Sequence, residues 1–192
     1  MLNNLANKNI ILASKSPRRQ QLLQGLDIDF EIRTKDVEEI YPDDLENEKV
    51  PEYLSKLKAE AFKDELNDND ILITSDTVVI LGDTILEKPM DRDHSLQMLR
   101  KLSGQTHTVV TGVCIQSLNK EVVFSNHTKV TFAHFSDVEI AYYVDKYQPF
   151  DKAGSYGCQE WLGYIGIDHL EGSFYSVMGI PLHQVYQALK DF

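Results

Sequence analysis

Cysteine is scarce in this chain: Cys114 and Cys158 stand alone among 192 residues, far apart and with no CxxC or Cys/His spacing. Neither a disulfide framework nor a zinc site is indicated, and a reducing compartment suits them. Long apolar runs are lacking too. The opening "MLNNLANKNIILAS" holds no signal-peptide core, and no segment approaches the length of a membrane span, so a cytoplasmic protein without membrane association is expected. Positive charge is in deficit. A formal net charge of −11 argues against nucleic acid as a partner, because phosphate-backbone binding draws on clustered Lys and Arg. A small anion stays within reach of such a protein if a few cations converge, or if a divalent metal bridges its carboxylates to the ligand.

Familiar catalytic signatures are missing as well. No GxxxxGK[ST] phosphate loop, strand-borne GxGxxG, HExxH or GxSxG occurs. Three of the six histidines, His107, His127 and His134, alternate with apolar residues and read as surface or hydrogen-bonded strand positions. Repeats, low-complexity tracts and Gly/Ser linkers are also absent, so one compact unit over residues 1–192 is expected, with 42% hydrophobic residues to fill a core.

The patterning that is present alternates helices with strands. Asn9–Ala13 and Ile28–Arg33 read as strands, Pro17–Gln24 as a helix closed by Gly25, and Pro51–Leu66 as a helix with Leu54, Leu57, Ala61 and Phe62 on one face. "ILITSDTVVILGDTILEKP", Ile71 to Pro89, reads as a central strand turning back near Gly82-Asp83. Asp91–Leu102, Asp137–Lys146 and Pro181–Asp191 read as helices, with a long hairpin around Asn119-Lys120 and a glycine-punctuated stretch of loop and strand from Asp151 to Pro181. The sum is an α/β fold with a mixed sheet flanked by helices.

Two features point to chemistry. In "ILASKSPRRQQLL" Ser16 fits a helix N-cap and Pro17 the first helical position, which puts Arg18 and Arg19 in the first turn, where the helix dipole disfavours cations. An anion would reverse the sign, since free N–H groups and guanidinium forks together grip phosphate; the alternative is a pair of solvated arginines. The second feature is Asp76, an ionisable group in an apolar run. It must be paired, hydrogen-bonded, protonated or metal-bound, either as a structural cap or as a functional carboxylate. Glu38, Glu39, Lys58 and Lys88 supply further charge, and two carboxylates with two lysines and two arginines are a set suited to hydrolysing a nucleoside triphosphate.

Taken together, "LASKSPRRQQLL", "SDTVVILGDTILEKP", "LSGQTHTVVTGV", "DKAGSYGCQ" and "GSFYSVMGIPL" resemble, in order, the signatures of the Maf family of nucleotide pyrophosphatases, also known as septum-formation inhibitors. They run from Leu12 to Leu182. The resemblance implies a homodimeric cytoplasmic enzyme with an elongated mixed sheet like that of inosine-triphosphate pyrophosphatases. It also implies hydrolysis of a nucleoside triphosphate, with Mg²⁺ or Mn²⁺, to the monophosphate and pyrophosphate. By motif position Asp76 matches the proton acceptor and, with Glu39, the metal site; "DVEEIYP" also permits Glu38 in that role. Ser14, Arg18, Arg19, Lys58, Lys88 and Gln159 match the nucleotide site, with Arg18, Thr77 and Gln159 linked to base selection.

"AGSYGCQ" resembles the branch acting on dTTP and UTP rather than the one acting on 7-methyl-GTP. One departure stands beside it: "QEWLGYIGI" places Glu160 and Trp161 after Gln159, the tryptophan fitting either a packed or interface aromatic or a base-stacking one. Two rival readings are a nucleotide-sensing regulator of cell division without turnover and a purine-directed pyrophosphatase.

Overall fold

The computed structural model describes residues 2–192. Its framework is a seven-stranded mixed sheet in the order β2-β1-β3-β5-β6-β7, with β4 paired to β3. Strand β1 (Asn9–Leu12) runs parallel to both β2 (Glu31–Ile32) and β3 (Asp70–Leu81). β4 (Thr84–Leu86) folds back antiparallel on β3, and β7 (Ile167–Glu171) is antiparallel to β6 (Glu121–Phe132); β5 (Thr106–Gln116) lies between β3 and β6. The helices are α1 (Pro17–Gln24), α2 (Val50–Glu60), α3 (Arg92–Leu102), α4 (Asp137–Tyr147), α5 (Trp161–Gly166), α6 (Phe174–Val177) and α7 (Leu182–Leu189). The α/β class with a mixed sheet is therefore as the sequence patterning predicts.

The chain groups into two compact units. The first comprises Met1–Asp76, Thr111–Asn126 and Gly179–Phe192; the second comprises Thr77–Val110 and His127–Met178.

In the first unit the register of β1 on β3 is pinned where both begin. Asn9 pairs with Asp70, and its side-chain amide donates to Asp70 Oδ1 at 3.1 Å while Asp70 Oδ2 accepts from the Asn67 N–H at 3.0 Å. Burial alone would raise the Asp70 carboxyl, but these donors bring it below its ordinary value. Ile11, Leu72, Ala59, Phe62, Leu66 and Cys114 pack together into a core cluster. Burial pushes the Cys114 thiol up to about 12, so it is packing material rather than a nucleophile.

Helix α2 is held unusually close to the sheet. Thr74 Oγ1 donates to the Ser55 carbonyl at 2.6 Å, and Gly112 lies so near the backbone of Pro51 and Glu52 that a Cβ there would collide with it. The helix ends at Glu60, short of the predicted Leu66, because the chain tightens into a 3₁₀ turn at Lys63–Glu65, and both Phe62 and Leu66 reach the core.

In the second unit the core gathers Leu99, Leu102, Val109, Val130, Phe132, Tyr143, Val144 and Leu162. Asp91, read as the first residue of α3, is its N-cap and accepts from the His94 N–H at 2.8 Å. Ser136 and Glu139 form a reciprocal capping box at the start of α4. Helix α5 lies in the stretch predicted as loop and strand, and Cys158 is buried in the same core.

His107 is 2% exposed, with Nε2 2.7 Å from Tyr156 Oη and its ring 5.0 Å from that of Phe132. Among the described residues its Nδ1 has no hydrogen-bond partner, so a protonated ring would carry an unsatisfied N–H. Burial lowers its pKa to about 4. The unfolded chain then binds the extra proton near pH 6.5 and the folded chain only near 4, so stability falls as pH drops through that window. A urea-denaturation series from pH 7 to 4 should show the wild type losing about 2–3 kcal/mol more than His107→Gln, which cannot titrate.

Candidate active site

The site is built midway along β3, where polar residues interrupt its buried apolar run. Thr74 and Ser75 are buried, and the following Asp76 is only 8% exposed. A carboxylate there needs a partner, and α2 supplies one. Lys58 lies three residues after Ser55, on the same helix face that Thr74 grips. Its Nζ reaches Asp76 Oδ1 at 2.6 Å and Glu39 Oε1 at 2.9 Å. One ammonium thus meets both carboxylates, and of the two glutamates that the sequence leaves open, Glu39 is the one that reaches it.

Arg19 approaches the same stretch of β3 from α1. Ser16 caps that helix, accepting from the Arg19 N–H at 3.5 Å with Pro17 behind it, as the Ser-Pro pair predicts. The Arg19 side chain donates from Nε to the Gly179 carbonyl at 2.8 Å and from Nη1 to the Ser75 carbonyl at 2.7 Å. Ser75 Oγ lies 2.9 Å from the Gly112 carbonyl and 3.0 Å from that of Gly179, and its single proton serves one at a time. Burial lowers the Arg19 pKa against the pull of Asp76, with Arg18 lowering it further and Glu39 opposing. Two of the fork's donors are thus committed to main-chain carbonyls beside Asp76. Arg18 is half-buried in the same turn. Ser14 is buried and shapes the entry to α1: its Oγ accepts from the Ser16 N–H at 3.2 Å and its carbonyl from Gln20 Nε2 at 3.1 Å.

In the first unit, then, Lys58, Asp76 and Glu39 come into direct contact, and Arg19 is tied to the residue before Asp76. The carbonyls of Ser75 and Gly179, which sequence reasoning missed, anchor that tie; main-chain oxygens carry no residue signature. The other three expected residues belong to the second unit: Thr77 is half-buried on β3, Lys88 is exposed after β4, and Gln159 is half-buried in the turn before α5. Trp161 packs on the core of that unit and sets its ring edge-on to Tyr142 at 4.9 Å, the packed-aromatic reading.

Two acidic side chains on one lysine are hard oxygen donors of the kind Mg²⁺ takes in ones and twos, with substrate phosphate and water completing its shell. Among the described residues no three His, Cys, Asp or Glu side chains group as a metal cage. Asp76 and Glu39 fit the former arrangement.

Residues 9–192 match the family model described as "Maf-like protein". The chain belongs to the Maf family. Similar Maf relatives include a dTTP/UTP pyrophosphatase of Porphyromonas gingivalis (strain ATCC BAA-308 / W83), 56% identical over all of this chain and 98% of the relative. A dTTP/UTP pyrophosphatase of Parabacteroides distasonis is 51% identical over the full length of both chains. Among solved structures, the Staphylococcus aureus Ham1 protein is similar to this Maf chain with a TM-score of 0.49 and 18% identity, covering 66% of this chain and 72% of the other.

The arginine pair of this Maf protein should divide by role. Arg19→Ala removes the guanidinium donors from the Ser75 and Gly179 carbonyls and should lower unfolding free energy by about 1–3 kcal/mol in denaturant titrations. Arg18→Ala removes a cation from the positive end of a helix and should leave stability equal or slightly higher.

Proposed function

We propose that this protein hydrolyses nucleoside triphosphates, dTTP and UTP above others, to the monophosphate and pyrophosphate, acting as a cytoplasmic homodimer that clears nucleotides. The observation that carries the reading is the nearly buried Asp76 carboxylate held against Lys58, with Glu39 on the same ammonium. Full-length likeness to relatives named dTTP/UTP pyrophosphatase supports the substrate class.

In this mechanism Asp76 takes the proton of the water that attacks the α-phosphorus, and pyrophosphate leaves. Lys58 fixes the carboxylate in place and, with Arg18 and Arg19, offsets charge on the phosphate oxygens; Lys88 has the same role. Asp76 and Glu39 would hold the divalent cation, which when bound draws charge from the phosphate oxygens. A base of this kind needs no covalent intermediate, in keeping with thiols that are both buried.

Gln159 is the reader of the base. Its amide donates and accepts at once, matching the adjacent N–H and carbonyl of uracil or thymine, whereas cytosine offers an unprotonated ring nitrogen and an amino group. A buried mismatch is rejected strongly, so this side chain selects between the bases when its amide is held in one orientation. Thr77 and Arg18 share in base selection.

Pyrophosphate release from UTP, dTTP, CTP and 7-methyl-GTP, with and without Mg²⁺, tests the whole reading. UTP and dTTP should lead in kcat/KM, and removal of the metal with EDTA should abolish turnover; a preference for 7-methyl-GTP, or for CTP over UTP, overturns the substrate assignment. Asp76→Asn should keep its fold by circular dichroism and lose roughly 10²–10⁴-fold in kcat, the span for a removed general base. Wild-type turnover in that variant would make Asp76 structural.

A further inference from the structure

The turn that carries Gln159 is closed on itself within the second unit. The Glu160 N–H donates to the Gly157 carbonyl at 3.0 Å, which is the bond of a β-turn with Cys158 and Gln159 at its central positions. The Gly157 N–H donates to Tyr143 Oη at 3.0 Å, and the Tyr143 hydroxyl donates to Glu160 Oε2. One phenol oxygen therefore joins the first and last residues of the turn. Glycine at 157 leaves room for this closure, since a Cβ there would stand 2.8 Å from Glu160 Cδ.

The closing groups are themselves held. Tyr143 is fully buried on α4, with its ring stacked 5.1 Å from that of Tyr147. Glu160 Oε1 lies 3.2 Å from Lys152 Nζ, a lysine 8% exposed whose other acidic partner is Asp151 at 2.7 Å. Burial first, and then the bond to Glu160, raise the Tyr143 pKa, so the hydroxyl remains a donor. A buried ion pair of this kind is a poor source of stability, because desolving both charges consumes most of their attraction. What it does supply is a fixed direction for the Glu160 carboxylate, and with it a single geometry for the turn.

We propose that Tyr143, Glu160 and Lys152 are positioning residues that lock the turn so that Gln159 presents its amide in one orientation, and that this rigidity sets the preference for uracil and thymine over cytosine. The inference rests on Gln159 as the base reader. A loosely held amide could rotate by half a turn and satisfy cytosine equally well, since its donor and acceptor simply exchange places. The closed turn fixes Cys158, whose Sγ donates to Gln159 Oε1 at 3.7 Å, so the acceptor end of the amide is held on one side before substrate arrives, which is selection by preorganisation.

The test is kcat/KM for UTP and CTP in Gln159→Ala, Tyr143→Phe, Glu160→Ala, Glu160→Gln and the double variant Tyr143→Phe/Gln159→Ala. Tyr143→Phe and Glu160→Ala should each lower the UTP:CTP ratio by roughly tenfold, chiefly through KM for UTP. Glu160→Gln, which still accepts from the Tyr143 hydroxyl, should recover most of that ratio. The double variant should show the ratio of Gln159→Ala alone, since a lock has nothing left to orient. Equal losses for both nucleotides in Tyr143→Phe and Glu160→Ala, or a full further loss in the double variant, overturn the positioning role while leaving Gln159 as reader. An unchanged ratio in Gln159→Ala instead overturns the reader and the lock with it. Should Tyr143→Phe lose its cooperative thermal transition, the Glu160→Ala and Glu160→Gln pair decides the question with the phenol in place.

Discussion

One ammonium between two carboxylates governs the first unit. Lys58 compensates Asp76 midway along a buried strand and holds Glu39 from an otherwise irregular segment. Its reach depends on how closely α2 lies on the sheet, and that in turn depends on Thr74 gripping the Ser55 carbonyl and on the missing side chain at position 112. From the other side Arg19 fixes the carbonyl of Ser75, so the residue before the carboxylate is held as firmly as the carboxylate. A buried charge left without its partner costs several kcal/mol, which makes every one of these contacts a condition for the others.

The elements most legible in the sequence are those with their own local chemistry. Ser16 and Pro17 announce α1, Gly82-Asp83 marks the β3–β4 turn, and Asn119-Lys120 lies in the link between β5 and β6. Helix α5 was illegible because "WLGYIG" carries two helix-weakening glycines, and its burial in the second core outweighs propensity. Strand β2 is shorter than its apolar pattern predicts: it lies at one end of the sheet order, where β1 alone sets its length.

The site was legible in part, for related reasons. Asp76 stands out because a carboxylate in an apolar run demands an explanation, and the explanation is Lys58. Spacing does not reveal that Lys58 and Glu39 meet, since 18 residues separate Lys58 from Asp76 and their meeting depends on packing. Nor does the helix-start arginine pair disclose that one fork serves main-chain oxygens. The odd placement of Arg19 has its compensation within the protein, in two carbonyls and the nearby Asp76 and Glu39 charges.

The two cysteines lie in different units, Cys114 in the core of the first and Cys158 in the core of the second, and both are buried thiols not joined in a disulfide. A thiol reagent can reach either one only when its surroundings open. Each unit therefore carries a single internal reporter of its own breathing, and the two labelling rates, resolved by peptide mass, would give the opening free energy of each unit separately without any engineered probe.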